Sequence, residues 1–236
     1  IMKKILSIIL LHLFIYADEP PFNIGESLKY TAEWNGISVG EAELFVSGLE
    51  LVNGFEAYKI SFTTKTVGLA RRLFPVKDRI DVWIDKNEFY THRLKKDINQ
   101  ATYSEKVDVL FDYNQSIAKT KNKTIDINFK ARGPYSMFYF LRTFELNPDK
   151  TMAFSSYEGR SVINYNLKMT GIEKVNSALG SFSCKVIRPF KKGKELFKNK
   201  GDMRIWISET EKKLPVKIQI KIQYGSMTLL LKEVIN

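Results

Sequence analysis

The sequence predicts a mainly β protein: a single antiparallel sheet of roughly a dozen strands, curled into a half-barrel or barrel around one short central apolar helix. Three observations carry that prediction. Apolar and polar residues alternate with a period of two along most of the chain. Asn-Gly pairs and other Gly-containing turns interrupt the alternation at hairpin spacing. One dense aromatic run, Gly133 to Arg142, breaks the period in mid-chain.

The first seventeen residues stand outside this pattern. Lys3 and Lys4 precede an apolar run from Ile5 to Ile15, followed by Tyr16-Ala17 and the stretch Asp18-Glu19-Pro20-Pro21. That layout is a secretory signal peptide cleaved after Ala17, which leaves residues 18–236 as one exported domain. The apolar run falls short of the ~20 residues that span a bilayer, and no later segment is apolar enough to do so. No Cys lies near Ala17, so a lipid-anchored N-terminus is not expected.

Ser27 to Trp34 alternates, with Leu28, Tyr30, Ala32 and Trp34 on one face. Asn35-Gly36 turns it into Ile37 to Val46, where Gly40 marks a bulge or a close approach of backbones. Asn53-Gly54 repeats the turn before Phe55 to Thr66. Val67 to Val76, containing Leu69-Ala70-Arg71-Arg72-Leu73-Phe74-Pro75, reads as a turn or a single helical loop. Strands follow at Arg79 to Asp85, Phe89 to Lys96 and Glu105 to Tyr113, then two short polar ones around Ile117 and Ile125 to Phe129. Lys119, Lys121 and Lys123 suit exposed edges, where lysine discourages edge-to-edge pairing.

Pro134 is pre-set for the first turn of a helix running to Arg142, and Tyr135, Phe138, Tyr139 and Leu141 cover most of its circumference. A helix apolar nearly all round belongs inside something. Arg142 should therefore have a partner, Asp78 or another carboxylate, and a buried pair would mean structure rather than binding. Strands resume at Met152 to Tyr157, Arg160 to Lys174, Phe182 to Pro189, Met203 to Ser208, Pro215 to Tyr224 and Met227 to Val234. No repeat or linker divides the chain.

The chemistry-bearing residues are sparse. Without residues 1–17 the only histidine is His92, read as a half-exposed strand residue, and the only cysteine is Cys184, read as a buried small hydrophobe. A metal site needs several converging ligands, so no metal and no cofactor is expected. No phosphate-cradling glycine motif and no nucleophile elbow occurs, so the chain does not read as an enzyme. Asp78 and Asp81 fall on opposite strand faces, while Asp108 and Asp112 share a solvated one.

Removal of residues 1–17 leaves 35 basic against 26 acidic residues, a net charge of +9. Such a surface favours anions, and Lys191, Lys192, Lys194 and Lys198 are candidates for contact with an anionic envelope surface. Aromatic residues interleave there as they do in nucleic-acid readers, but an exported protein is not expected to meet nucleic acid.

A family resemblance rests on specific residues. Pro21-Phe22 with Gly25 to Tyr30, Trp34-Asn35-Gly36-Ile37 and Val39-Gly40-Glu41-Ala42 resembles the opening of a bacterial exported family catalogued as domain of unknown function 3108. Pro75-Val76-Lys77-Asp78, the helix Ser136 to Arg142, Gly201 to Ser208 and Leu214-Pro215-Val216 with Gly225-Ser226 are similar to its later landmarks. The resemblance implies a mainly β protein of the Gram-negative periplasm and supplies no activity. At the level of architecture only, the pattern is similar to periplasmic lipoprotein carriers, in which a curved sheet wraps apolar helices around a greasy pocket.

The expected function is accordingly a cell-envelope module that binds a lipid, acyl chain or lipoprotein segment, with Tyr30, Trp34, Phe138, Tyr139 and Leu141 lining the seat and Arg142 at its mouth. The alternative is a structural or interaction component of the envelope acting through its basic surface and sheet edges. An outer-membrane barrel is a weaker fit, because an apolar central helix requires an apolar interior. The leader is directly testable: N-terminal sequencing of the exported protein should begin at Asp18, and Leu10→Arg should leave the precursor uncleaved.

Overall fold

The computed structural model describes residues 19–145, 147–191 and 202–236. Residues 1–17 of the expected leader, and Lys192, Lys194 and Lys198, lie outside these described residues. The first half contains β1 (Ser27–Trp34), β2 (Ile37–Val52), β3 (Phe55–Thr66), α1 (Gly68–Leu73), β4 (Lys77–Asp85), β5 (Thr91–Gln100), β6 (Tyr103–Asp112), β7 (Ile117–Lys119) and β8 (Thr124–Asp126). After α2 (Pro134–Thr143) come β9 (Thr151–Tyr157), β10 (Val162–Ser177), β11 (Gly180–Phe190), β12 (Asp202–Ser208), β13 (Pro215–Ile222) and β14 (Gly225–Ile235).

The strands form one antiparallel sheet in the order β8-β7-β6-β5-β4-β3-β2-β1-β14-β13-β12-β11-β10-β9. Every neighbour is also next in sequence except β1 and β14, which pair from Ser27↔Ile235 to Trp34↔Met227 with a register shift between Lys29 and Tyr30. Two meanders are thus joined through the chain's first and last strands, and the sheet's edges are β8 and β9. The Asn-Gly turns have the positive φ their type demands, with Asn35 at 49° and Asn53 at 52°. Gly40 is a close approach: a Cβ there would lie 2.5 Å from the Lys65 carbonyl oxygen.

The chain between the two edges crosses the seam and then enters the curl. Thr91 donates its backbone N–H to the Ala131 carbonyl at 2.8 Å, and Arg132 donates to Ser155 at 2.9 Å, so one segment touches both sides. Tyr113 Oη donates to the Thr91 carbonyl and accepts from the Ala131 N–H, while Tyr165 Oη donates to the Arg132 carbonyl. Ion pairs Lys96–Glu158 and Arg160–Glu105 bridge the same gap from the β9–β10 turn. Side chains and a single strap, rather than a ladder, close this barrel.

Inside it lies α2, with Ser136, Met137, Phe138, Tyr139, Leu141 and Arg142 all buried. Tyr135 packs on Phe62 at 5.3 Å between centroids, Tyr139 on Phe22 at 4.9 Å and Phe140 on Phe154 at 5.5 Å. Inward positions such as Leu28, Leu44, Ile60, Ile80, Ile205 and Val216 complete one continuous core around the helix. The apolar strand faces turn inward and the charged faces outward, the reverse of a barrel whose outer wall meets lipid.

Arg142 is the largest fully buried side chain, and its partner is Glu26 rather than Asp78. Nη1 donates to Glu26 Oε1 at 2.5 Å and Nη2 to Oε2 at 2.9 Å. Nη2 also donates to the Pro21 carbonyl at 2.6 Å and Nε to the Lys212 carbonyl at 3.1 Å. One guanidinium thus ties the helix C-terminus to the segment before β1 and to the β12–β13 loop. Phe22 and Tyr139 stack against it on the core side.

His92 departs from its half-exposed expectation and is fully buried. The expectation failed because the β4–β5 register shifts between Trp83 and Ile84, which pair with Arg93 and Thr91, so His92 is the bulged residue and its ring packs against Phe55 and Tyr90. Its Nε2 lies 3.0 Å from Asp85 Oδ2, and its ring stacks on Phe55 at 5.0 Å. Asp85 Oδ1 meanwhile accepts the backbone N–H groups of Asn87 and Glu88, which closes the β4–β5 turn. Burial raises the Asp85 carboxyl, but the bonds from Glu88, His92 and Asn87 outweigh it and hold its pKa below the usual aspartate value.

Cys184 is buried as expected, and burial pushes its thiol up to about 11. Asp108 is occupied by Arg93 and Lys95 on the outer face.

Two outcomes follow. Glu26→Gln leaves a buried guanidinium without its counter-charge and should cost roughly 3–5 kcal/mol in urea unfolding, whereas Glu26→Leu with Arg142→Met should recover much of that loss. Since the folded-state pKa of Asp85 lies below its unfolded value, its stabilising contribution is present at neutral pH and is lost as pH falls through the depressed value. The stability gap between wild type and Asp85→Asn should therefore narrow below about pH 4 in acid titrations followed by circular dichroism.

Candidate functional site

The helix does not fill the whole interior. Ten residues of α helix span ~15 Å, whereas a strand the length of β3 runs about 40 Å before tilt is considered. The Arg142 end of α2 is packed against Glu26 and the chain before β1. At the opposite end of the barrel, past the Tyr135–Phe62 contact, the inward face continues without a helix to cover it.

That uncovered length is a cavity of about 710 Å³. Ala32 and Trp34 of β1, Val39 and Gly40 of β2, and Phe62 of β3 form one wall. Ile218 and Ile220 of β13 with Met227 and Leu229 of β14 continue it, since β14 pairs with β1. Ala70, Leu73 and the following Phe74 close it from the α1 side. The size lies within the ~300–1,000 Å³ of ordinary ligand pockets, and the lining is mostly hydrocarbon.

Its polar side is narrow. Asp78 points inward and is buried, accepting from the Asn99 backbone N–H at 2.9 Å, from Gln100 Nε2 at 2.5 Å and from Thr64 Oγ1 at 3.5 Å. Glu41 and Lys65 pair with each other at 3.1 Å on the rim. The hydrogen bond and charge of Lys65 hold the Glu41 carboxyl below its usual value.

Trp34 is held at this opening by neighbouring turns. The Asn35 N–H donates to the Ser226 carbonyl at 2.9 Å, and the Ser226 N–H donates to Asn35 Oδ1 at 2.8 Å. A Cβ on Gly225 would lie 2.7 Å from the Trp34 ring, so the indole rests directly on glycine backbone.

α1 itself is stapled at its base. The Val67 N–H donates to Val39, the Thr66 N–H to Val76, and Thr66 Oγ1 bridges the Phe74 carbonyl and the Val76 N–H. None of the six helical residues is buried.

Of the residues expected to line a ligand seat, the structure brings Trp34 to this cavity. Tyr30 is buried in the core, its hydroxyl donating to the Pro215 carbonyl at 3.0 Å. Phe138, Tyr139 and Leu141 pack within the core cluster. Arg142 does not stand at a mouth; it is enclosed at the far end with its donors engaged. The reason is direction: α2 enters the curl at the seam, so its charged end points away from the opening. Lys191 is half-buried just after β11.

Sequence reasoning missed Phe62, Leu73, Phe74, Ile218, Ile220, Met227 and Leu229. A signal for two of them was present, since Leu73 and Phe74 are bulky apolar residues in a segment that leaves the strand pattern. Among the described residues no group of three His, Cys, Asp or Glu side chains converges as metal ligands would.

The family comparison adds to this geometry. The pattern of DUF3108, described as a protein of unknown function, matches residues 29–232. Comparison with curated proteins returns no match. Among solved structures, the chain is similar to a beta-barrel-like protein of the domain of unknown function DUF1849 from Brucella abortus. The TM-score is 0.59 at 10% identity, over 90% of this chain and 97% of that one. At that identity the likeness is one of fold alone.

A candidate lipoprotein from Parabacteroides distasonis aligns over 90% of this chain and 96% of its own, at 9% identity and a TM-score of 0.39. A candidate exported protein from Bacteroides fragilis aligns over 92% and 98%, at 8% identity and 0.41. At those scores neither bears on function. The barrel-like curl around α2 and the match over nearly all of the domain lead to one assignment: this chain belongs to the DUF3108 family.

Proposed function

We propose that this protein is an exported cell-envelope carrier that holds an acyl chain, of a lipid or of a lipidated protein, in the cavity between Trp34 and α1. The single observation behind this reading is a pocket of about 710 Å³ with mostly hydrocarbon walls, at the end of the barrel away from the Arg142–Glu26 pair. Water in such a space contacts few polar partners, so displacing it with an apolar chain is favourable, by roughly 0.8 kcal/mol per buried CH₂. Asp78, Gln100, Lys65 and Glu41 lie along one side, where an amphipathic ligand would place its polar group. Export to a Gram-negative periplasm is part of the proposal and rests on the layout of residues 1–17.

No covalent step is assigned to the protein in this role. Binding requires only that the chain leave water, that the headgroup stay at the rim, and that the mouth admit it.

The test is titration of the mature protein with dansylated undecanoic acid, followed by fluorescence, with native mass spectrometry of protein purified from the periplasm. Wild type should bind the probe and carry a co-purified lipid. Leu229→Trp and Ile220→Trp, each filling the cavity, should weaken probe binding at least about tenfold while the melting midpoint stays near wild type. A wild-type protein that takes no probe and carries no lipid, or two filled variants that bind as wild type does, would remove the reading.

A further inference from the structure

The segment from Val67 to Lys77 is unusual on this surface. Leu69, Leu73 and Phe74 are 69%, 75% and 56% exposed, clustered on one six-residue helix and its C-cap. Contiguous exposed hydrocarbon of this kind is costly in water unless something covers it. Within the same eleven residues stand Arg71, Arg72 and Lys77, with no acidic residue among them. Neighbouring Lys65 and Arg79 are paired with Glu41 and Asp81, whereas among the described residues Arg71, Arg72 and Lys77 enter no ion pair.

We infer that α1 and its flanks are a docking surface for an anionic lipid bilayer. The inference rests on the carrier reading, and it names the place where the acyl chain would pass between membrane and cavity. Three features select the occupant. Apolar side chains flanked by unpaired arginines suit an interface whose outer layer is negative and whose next layer is hydrocarbon. A second copy of this chain would bring the same three cations face to face with these, which is repulsive. Leu73 and Phe74 belong both to the exposed tip and to the cavity wall, so the covered patch and the pocket opening are one continuous surface.

The base of the segment is built for this. Hydrogen bonds from Val67 to Val39 and between Thr66 and Val76 fix both ends to the sheet, so the helix projects from a firm stem. Burying its tip in the headgroup layer would bring the mouth to the bilayer without reorganising the barrel.

Flotation of the mature chain with vesicles of phosphatidylcholine or phosphatidylglycerol tests this. Wild type should float with the anionic vesicles, hardly with the neutral ones, and less as salt rises. Arg71→Gln with Arg72→Gln should weaken that binding about 30-fold. Leu69→Ser, at a side chain outside the cavity wall, should weaken it as well. All of these proteins should bind dansylated undecanoic acid in vesicle-free solution as wild type does, which also shows that they are folded.

No flotation of wild type with phosphatidylglycerol overturns the inference. So does flotation of the variants at wild-type strength, which would assign the contact to another basic surface. Dimers of the free protein that these variants dissolve would overturn it in favour of a second copy. A wild type that floats but takes no probe and carries no co-purified lipid would remove the carrier reading and leave the docking surface standing.

Discussion

The interior of this barrel is occupied by its own chain, and most of the structure follows from that. An antiparallel sheet that pairs its first and last strands in the middle places its two edges at β8 and β9. The segment joining them has to cross the gap and return, and it does so through the inside. A strand there would leave backbone groups unpaired away from water, whereas a helix satisfies its own. The aromatic and aliphatic residues of α2 then give the inward strand positions along its length something to pack against. The β8 edge is short, three residues beside a three-residue β7 with Lys121 and Lys123 between them, so little ladder is left open on that side.

Burial of a helix end brings a polar cost, and Arg142 shows how it is met. Desolvating an ion pair is offset only when geometry is good and the remaining donors are engaged. Here the guanidinium makes a fork to Glu26 and two further bonds to carbonyls of distant segments. The four bonds join the helix end to the segment before β1 and to the β12–β13 loop, so the charge ties together segments that lie far apart in the chain.

The two poles divide the labour of the fold. At the Glu26 end the buried guanidinium is paired and the core is continuous. At the Trp34 end the helix has run out while the strands continue, and α1 folds over the gap with no buried residue of its own. The same sheet faces therefore serve as core wall along part of their length and as pocket wall along the rest. Ala32 is buried in the wall while Trp34, two residues further along the same face, meets the opening.

Much of this architecture was legible in the sequence. The period-two faces and the two Asn-Gly turns placed β1 and β3 to the residue and the start of β2, because those signals are local and depend only on the backbone's geometry, whereas β2 continues past the expected end at Val46 to Val52. Pro134 and the aromatic run placed α2 inside for the same reason: a helix without a polar face has no other home. What the sequence could not decide was where a local element meets a distant one. The pairing of β1 with β14, the choice of Glu26 over Asp78 for Arg142 and the burial of His92 all join residues far apart in the chain or enclosed by a distant strap. The pocket is of that kind too, since it exists through a mismatch between helix length and strand length that no single segment contains. Aromatic density drew attention to α2 as a ligand seat, but density marks burial, and only the tertiary structure separates a filled interior from an empty one.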